Sequence, residues 1–154
     1  MATAKENNSS RVIAIKLAKY LTCFYIVYYI FSIIFVGAYH VGWKHLGIFP
    51  FWMRKSQFNP SKGGGALGTW LAMVLTHVVG LAMTFSIVRV TKKSWDFALS
   101  TAIVHFVLCI IVNQAFPVNW IWWVTLGVCV IGVSIASEFL IYFGREMRDI
   151  KLDN

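Results

Sequence analysis

Four long apolar runs dominate the chain, each closed off by polar or helix-breaking residues. The first covers about 20–39 and follows Lys16 and Lys19. The second covers about 66–90 and stops at Thr91-Lys92-Lys93. A third opens at Trp95-Asp96 and reaches about 116, where Pro117 ends it; the fourth covers about 120–143 and ends at Gly144 and Arg145. A helix that crosses the hydrocarbon core needs about 20 apolar residues. The pattern therefore predicts an all-α membrane protein, a four-helix transmembrane bundle. The turn Pro117-Val118-Asn119 makes the last two spans an antiparallel hairpin. What remains is a basic N-terminal segment, 1–19, a tail, 144–154, and a first loop, 40–65, which ends in the linker-like Ser61-Lys62-Gly63-Gly64-Gly65.

Composition agrees with lipid as the solvent. Of 154 residues 58% are hydrophobic and 13% charged, with mean hydropathy +0.68. A soluble domain is about half apolar and a quarter charged. The formal charge of +8 does not point to nucleic acid, because the bases sit at the chain ends and in short loops rather than along a soluble face. Such placement reflects orientation and lipid headgroups. Ten of the 14 Lys and Arg fall on the side that holds both termini, and four (Lys44, Arg54, Lys55, Lys62) in the first loop. The positive-inside bias places both termini in the cytoplasm. The run after the polar start is long enough to stay in the membrane, so no cleavable leader is expected. Cys23, Cys109 and Cys129 all lie in apolar runs without metal-ligand or disulfide spacing, and read as small buried hydrophobes.

Several residues stand out against this background. The first loop mixes Trp43, Phe49, Phe51, Trp52 and Phe58 with its bases, which suits the headgroup interface; a partner cleft is the other reading. Ala72, Thr76, Gly80 and Thr84 recur every four residues, a ridge that lets a neighbouring backbone approach closely, and Gly132 and Ala136 repeat the pattern in the fourth span. Trp122 and Trp123 stand at the start of that span as interfacial anchors. His105 shares a helix face with Ala98, Thr101, Ala102 and Cys109, so it points into the bundle. It lies about 15 Å below Trp95, and Glu138 about 9 Å inside the cytoplasmic end of the fourth span, the same side, so the two depths differ by only a turn or so. These depths predict an intramembrane polar pair, His105 and Glu138. The pair reads first as a device that fixes helix register. A proton relay extended by His77 is the other reading. Asp96 reads as a cap at the start of the third helix, where the macrodipole favours an anion. No phosphate-binding glycine loop, HExxH or nucleophile elbow occurs, so neither an enzyme, a metal site nor a cofactor is expected.

From Trp95 onward the order of landmarks resembles the Sys-one family of Golgi integral membrane proteins. The resemblance rests on Trp95-Asp96-Phe97, Thr101, His105, Phe116-Pro117, Trp122-Trp123 and Glu138-Phe139-Leu140, and continues through Arg145, Glu146 and Ile150. Phe24-Tyr25-Ile26-Val27-Tyr28-Tyr29 resembles a vertebrate paralogue group of the family. The chain departs from the family in lacking its Trp-Asp-Pro start and in having Ile141 where many relatives carry a cysteine. The resemblance implies a trans-Golgi membrane protein that recruits an Arf-like small GTPase, whose N-terminal segment depends on it for targeting. The docking face would comprise residues 89–96, with Lys92, Lys93 and Asp96, together with Arg145 and the tail. Two other classes of function fit a compact four-helix bundle. One is a structural subunit of a larger membrane complex or homo-oligomer; the other is a small proton-coupled transporter built on Glu138 and His105.

The orientation has a direct test. Asn7-Asn8-Ser9 and Asn8-Ser9-Ser10 are glycosylation acceptor patterns. With a cytoplasmic N-terminus both stay unmodified, so endoglycosidase treatment leaves the mass of the secretory-pathway protein unchanged.

Overall fold

The computed structural model describes residues 10–87 and 91–152. Four α-helices, α1 (Ser10–Ala38), α2 (Gly64–Ile87), α3 (Thr91–Asn113) and α4 (Trp120–Leu152), carry the chain, with 3-10 turns at Trp43–His45, Phe49–Phe51 and Pro60–Lys62. Among the described residues there is no strand. Each helix contains a stretch of 19 to 28 residues long and apolar enough to cross a membrane. The expected bundle is present. At the end that holds the termini α1, α3 and α4 are longer than the apolar runs, because Arg, Lys, Ala and Glu propagate a helix well beyond the point where hydropathy fades. At the other end α3 stops at Asn113, three residues before the expected boundary, where Gln114 takes φ 48°. α1 ends in the same way. His40 has φ 53°, and the amides of His40 and Val41 donate back to the carbonyls of Gly37 (3.3 Å) and Val36 (3.0 Å). This is the Schellman arrangement that ends a helix at a left-handed residue.

α1 and α2 meet along the small-residue ridge. Ala72, Thr76 and Thr84 are buried, and Gly80 lies against Tyr20 and Phe24 of α1. Gly68 extends the ridge by one turn: a Cβ there would fall 2.7 Å from the Tyr39 ring and 3.3 Å from Phe35 Cβ. The ridge hydroxyls are satisfied within their own helix, Thr76 Oγ1 donating to the Ala72 carbonyl (2.6 Å) and Thr84 Oγ1 to that of Gly80 (2.9 Å). Back-bonding of this kind lets a threonine face a dry contact without an orphaned donor. Tyr20 Oη closes the contact from the other side, donating to the Gly80 carbonyl at 3.3 Å. Gly132 and Ala136 do not repeat the role. Gly132 is exposed, with nothing within 4 Å of a Cβ there, while Val133, Ser134 and Ser137 face inward. The inward stripe of α4 is rotated by one residue from the small pair.

The first connection corrects a second expectation. Instead of lying along the interface, its segment 49–58 folds into the end of the bundle, while Trp43 stays exposed. Phe49, Phe51, Met53 and Phe58 are at most 7% exposed, and Trp52 is buried beside them. Non-helical backbone in an apolar layer must find its hydrogen bonds within the protein, and three side chains supply them. Asn113 Nδ2 donates to the Phe51 carbonyl (2.7 Å), Asn119 Nδ2 to that of Phe58 (2.9 Å) and Tyr29 Oη to that of Gly47 (3.0 Å). Pro50 and Pro60 sit at the first turn of two 3-10 turns, where no amide is needed.

Two stability measurements in detergent check this packing. In an open helix Gly→Ala stabilises by ~1 kcal/mol, so Gly132→Ala is expected to be neutral or stabilising. Gly68→Ala must displace an aromatic ring, and overpacking of roughly 1–3 kcal/mol outweighs the propensity gain, so its unfolding temperature falls. Asn119→Ala removes both the cap on α4, worth ~1 kcal/mol, and the partner of a buried carbonyl, roughly 1–3 kcal/mol more. It is expected to destabilise the whole protein and to make the first connection the earliest site of proteolysis.

Candidate functional site

The inward face of α3 is the one its periodicity indicates: Phe97, Ala98, Thr101, His105 and Cys109 are all buried. His105 is 1% exposed and lies in a layer of rings contributed by α1, the first connection and α4. Its ring centroid is 5.5 Å from Tyr28, 6.0 Å from Phe51, 6.2 Å from Trp122 and 6.4 Å from Tyr25. Nε2 sits 3.5 Å from Cys109 Sγ. Nδ1, Tyr25 Oη and Tyr28 Oη are buried without a hydrogen-bond partner among the described residues. The layer is thus aromatic in bulk with a few polar atoms set inside it.

Glu138 is not part of it. His105 lies level with Trp122, and Glu138 is about 16 residues further along α4, or about 24 Å. The predicted His105–Glu138 pair is therefore not formed. The depth estimate counted from the apolar boundary at Trp95, whereas α3 begins at Thr91 and His105 is only about eight residues, or 12 Å, from its other end. Glu138 stands instead level with the first turn of α3, half-buried. Nor do the histidines line up as a relay. His77 Nδ1 donates to the Met73 carbonyl (2.8 Å) and the ring packs edge-on against Phe24, 5.2 Å away on α1.

Trp122 and Trp123 separate. Trp122 is 1% exposed and belongs to the aromatic layer, packed on His105 and Phe106, so it is a core residue and not an interfacial anchor. It shares the inward face with Leu126 and Val133. Trp123 is on the outer side, with Nε1 donating to the Pro117 carbonyl at 2.8 Å. Trp120, more exposed than either, is the better anchor at this end. Asp96 is also corrected: it is the sixth residue of α3 and exposed, one full turn past the position where a side chain can cap the free amides. Lys92, Lys93 and Arg145 lie on helical backbone, the lysines in the first turn of α3 and the arginine in the last turns of α4, with side chains outside the described residues. Arg89, Asn7 and Asn8 lie outside the described residues altogether.

The end that holds the termini is shaped by α4. Because His105 is level with Trp122, the start of α3 is level with about residue 136. α4 then continues for about 16 residues, or about 24 Å, beyond it. The apolar stretch of α4 closes at Leu140, so the final turns, with Arg145, Glu146, Arg148, Asp149 and Lys151, form a charged helical stem past the bundle. Two clefts accompany these features. An apolar groove of about 200 Å³ runs between α2 and α4 beside His77, Val78, Val128 and Gly132. A larger one, about 450 Å³, opens at the other end between Met53-Arg54-Lys55 and the α3–α4 turn, 115–120. Among the described residues no three His, Cys, Asp or Glu side chains converge as metal ligands. Asn113 and Asn119, which anchor the first connection, escaped the sequence reading; an asparagine at each end of an apolar hairpin turn is the signal that marks them.

Comparison with known proteins agrees with this architecture. Residues 4–152 match SYS1, the family described as an integral membrane protein linking to the trans Golgi network. A protein of Nematostella vectensis, "Protein SYS1 homolog", is 30% identical over 82 residues, 53% of this chain and 51% of that relative. The match spans about half the length of the relative. No solved structure matches the chain. The family match runs through all four helices, and the chain belongs to the SYS1 (Sys-one) family of integral membrane proteins linked to the trans Golgi network.

Proposed function

We propose that this protein is a Golgi membrane receptor that recruits an Arf-like small GTPase and so acts in vesicle and protein trafficking. Family membership supports the trafficking role, and the observation that carries the docking surface is the charged stem of α4, which continues about 24 Å past the start of α3. An amphipathic segment alone binds a bilayer weakly and reversibly; a second contact is needed for stable residence. The stem and the lysine-bearing first turn of α3 form the two sides of a step that offers such a contact at headgroup depth. Both lie at the end with the termini, which in this reading is cytoplasmic. Glu138, level with that turn, then belongs to the floor of the step, and the proton-coupled reading loses the geometry it required.

The reading is tested by deletion and by variants of the step. Loss of the protein is expected to move one Arf-like GTPase from Golgi membranes to cytosol while other Golgi coats stay in place. Reversal of charge at Lys92 and Lys93 should weaken recruitment several-fold without changing the amount of protein, because rim charges govern encounter more than folding. Removal of 144–154 should abolish it, although all four spans remain. If deletion leaves every Arf-like GTPase on its membrane, the structural-subunit reading replaces this one.

A further inference from the structure

The six carboxylates of the chain are Glu6, Asp96, Glu138, Glu146, Asp149 and Asp153. The four on described backbone, Asp96, Glu138, Glu146 and Asp149, all belong to the end that holds the termini. The opposite end, built from the first connection and the α3–α4 turn, has Lys44, Arg54, Lys55 and Lys62 and no acid at all. Two of these cations, Arg54 and Lys55, line the cleft of about 450 Å³. Their position is fixed on both sides. Met53 before them is 1% exposed and Phe58 after them 0%, and the Arg54 carbonyl accepts the amides of Gln57 (2.8 Å) and Phe58 (2.9 Å). The side chains of Arg54 and Lys55 themselves are exposed.

The opposite wall of the cleft is apolar and just as exposed. Phe116 is 63% exposed, Val118 90% and Trp120 66%. Three such side chains on one turn are unfavourable in water and at home at the boundary between headgroups and acyl chains, where aromatic rings collect.

We propose that this cleft is a binding site for an anionic phospholipid, with the headgroup phosphate held by Arg54 and Lys55 and an acyl chain lying along Phe116, Val118 and Trp120. An arginine offers a phosphate two parallel donors, and a lysine beside it adds a point charge. Paired cations beside an exposed apolar wall match a molecule that is anionic at one end and apolar along its length. An acidic peptide would satisfy the cations and leave the apolar wall uncovered; a lipid satisfies both walls with one molecule. The site does not depend on the GTPase reading, since it lies at the other end of the bundle.

The test uses the full chain, purified in detergent and stripped of native lipid, titrated with phosphatidylserine and with phosphatidylcholine while bound lipid is counted by native mass spectrometry. Phosphatidylserine is expected to bind with one tight site and to raise the unfolding temperature, and phosphatidylcholine to do neither. Each cation near the surface is worth about a fivefold change in affinity. Arg54→Gln and Lys55→Gln should each weaken phosphatidylserine about fivefold, with a shallower salt dependence, while Lys44→Gln and Lys62→Gln, away from the cleft, should leave it within about twofold. Should Arg54→Gln alter the lipid-free unfolding temperature, Lys55→Gln and the salt dependence decide. Equal binding of the two lipids, an unaffected Arg54/Lys55 double variant, or equal loss from Lys44→Gln overturns the site. Equal protection by inorganic phosphate or by an acidic peptide overturns the lipid as its occupant.

Discussion

A carbonyl group in hydrocarbon has no water to turn to, and this protein carries a stretch of non-helical backbone into its apolar end. Everything at that end follows from satisfying it. Asn113 and Asn119 hold the carbonyls of Phe51 and Phe58, and each needs to stand at a defined height. Asn113 is the last residue of α3, and Asn119 precedes the first of α4, where its Oδ1 also accepts the Ile121 amide at 3.2 Å. The α3–α4 turn is therefore placed by the connection it closes over. With the carbonyls held, Phe51 reaches His105, and the aromatic layer of Tyr25, Tyr28, Phe51 and Trp122 completes around the imidazole. The same insertion sends Phe49, Met53 and Phe58 inward and leaves Arg54 and Lys55 outside.

The two helix pairs solve the membrane's packing problem differently. Lipid tails are as apolar as leucine, so helices associate through close contact and shape rather than through escape from water. α1 and α2 do this with small residues, from Gly68 to Thr84, whose hydroxyls fold back on their own carbonyls. α3 and α4 do it with bulk, Phe106 packing on Trp122 and Trp123 at ring separations of 6.4 and 5.3 Å. The inward stripe of α4 runs through Trp122, Leu126, Val133, Ser134 and Ser137. Gly132 consequently faces outward, along with Val128, Ile135 and Phe139.

How far the sequence could be read follows from which signals are periodic. Spans, ridge and the inward face of His105 repeat at helical spacing, and each stands where its spacing indicates. The depth of His105 is not a periodic quantity. It depends on where the helix begins, and polar helix formers hide that point from hydropathy, so a partner at the wrong level was assigned. Trp122 shows the reverse case. Tryptophan at the head of a span suggests an interface, yet its phase with Leu126 and Val133 places it inside. Phase outranks residue type there. The first connection carries no period at all, and a mixture of aromatic rings and bases suits both the interface and a buried plug. Only the hydrogen-bonding demand of its backbone separates them, and that demand is visible in sequence as the asparagines on either side of the hairpin turn.

The distribution of charge gives the two ends different chemistry. A helix bundle needs some polar residues at both interfaces, and mixed charges would serve. Here the carboxylates of the described residues belong to the end with the termini, and the first connection and the α3–α4 turn carry bases and no acid. A surface with both signs, carried on a stem such as the last turns of α4, can match the mixed charges of a folded protein domain and reject wrong partners by repulsion. A surface of one sign beside exposed apolar side chains matches only something anionic and amphiphilic. The stem cannot serve the second purpose, since it continues for about 12 residues past the apolar stretch that closes at Leu140. The cleft cannot serve the first, since its walls belong to a connection locked into the bundle core. In the proposed reading, protein contact and lipid contact are separated by one helix that continues past its apolar stretch and one loop that folds back into the bundle.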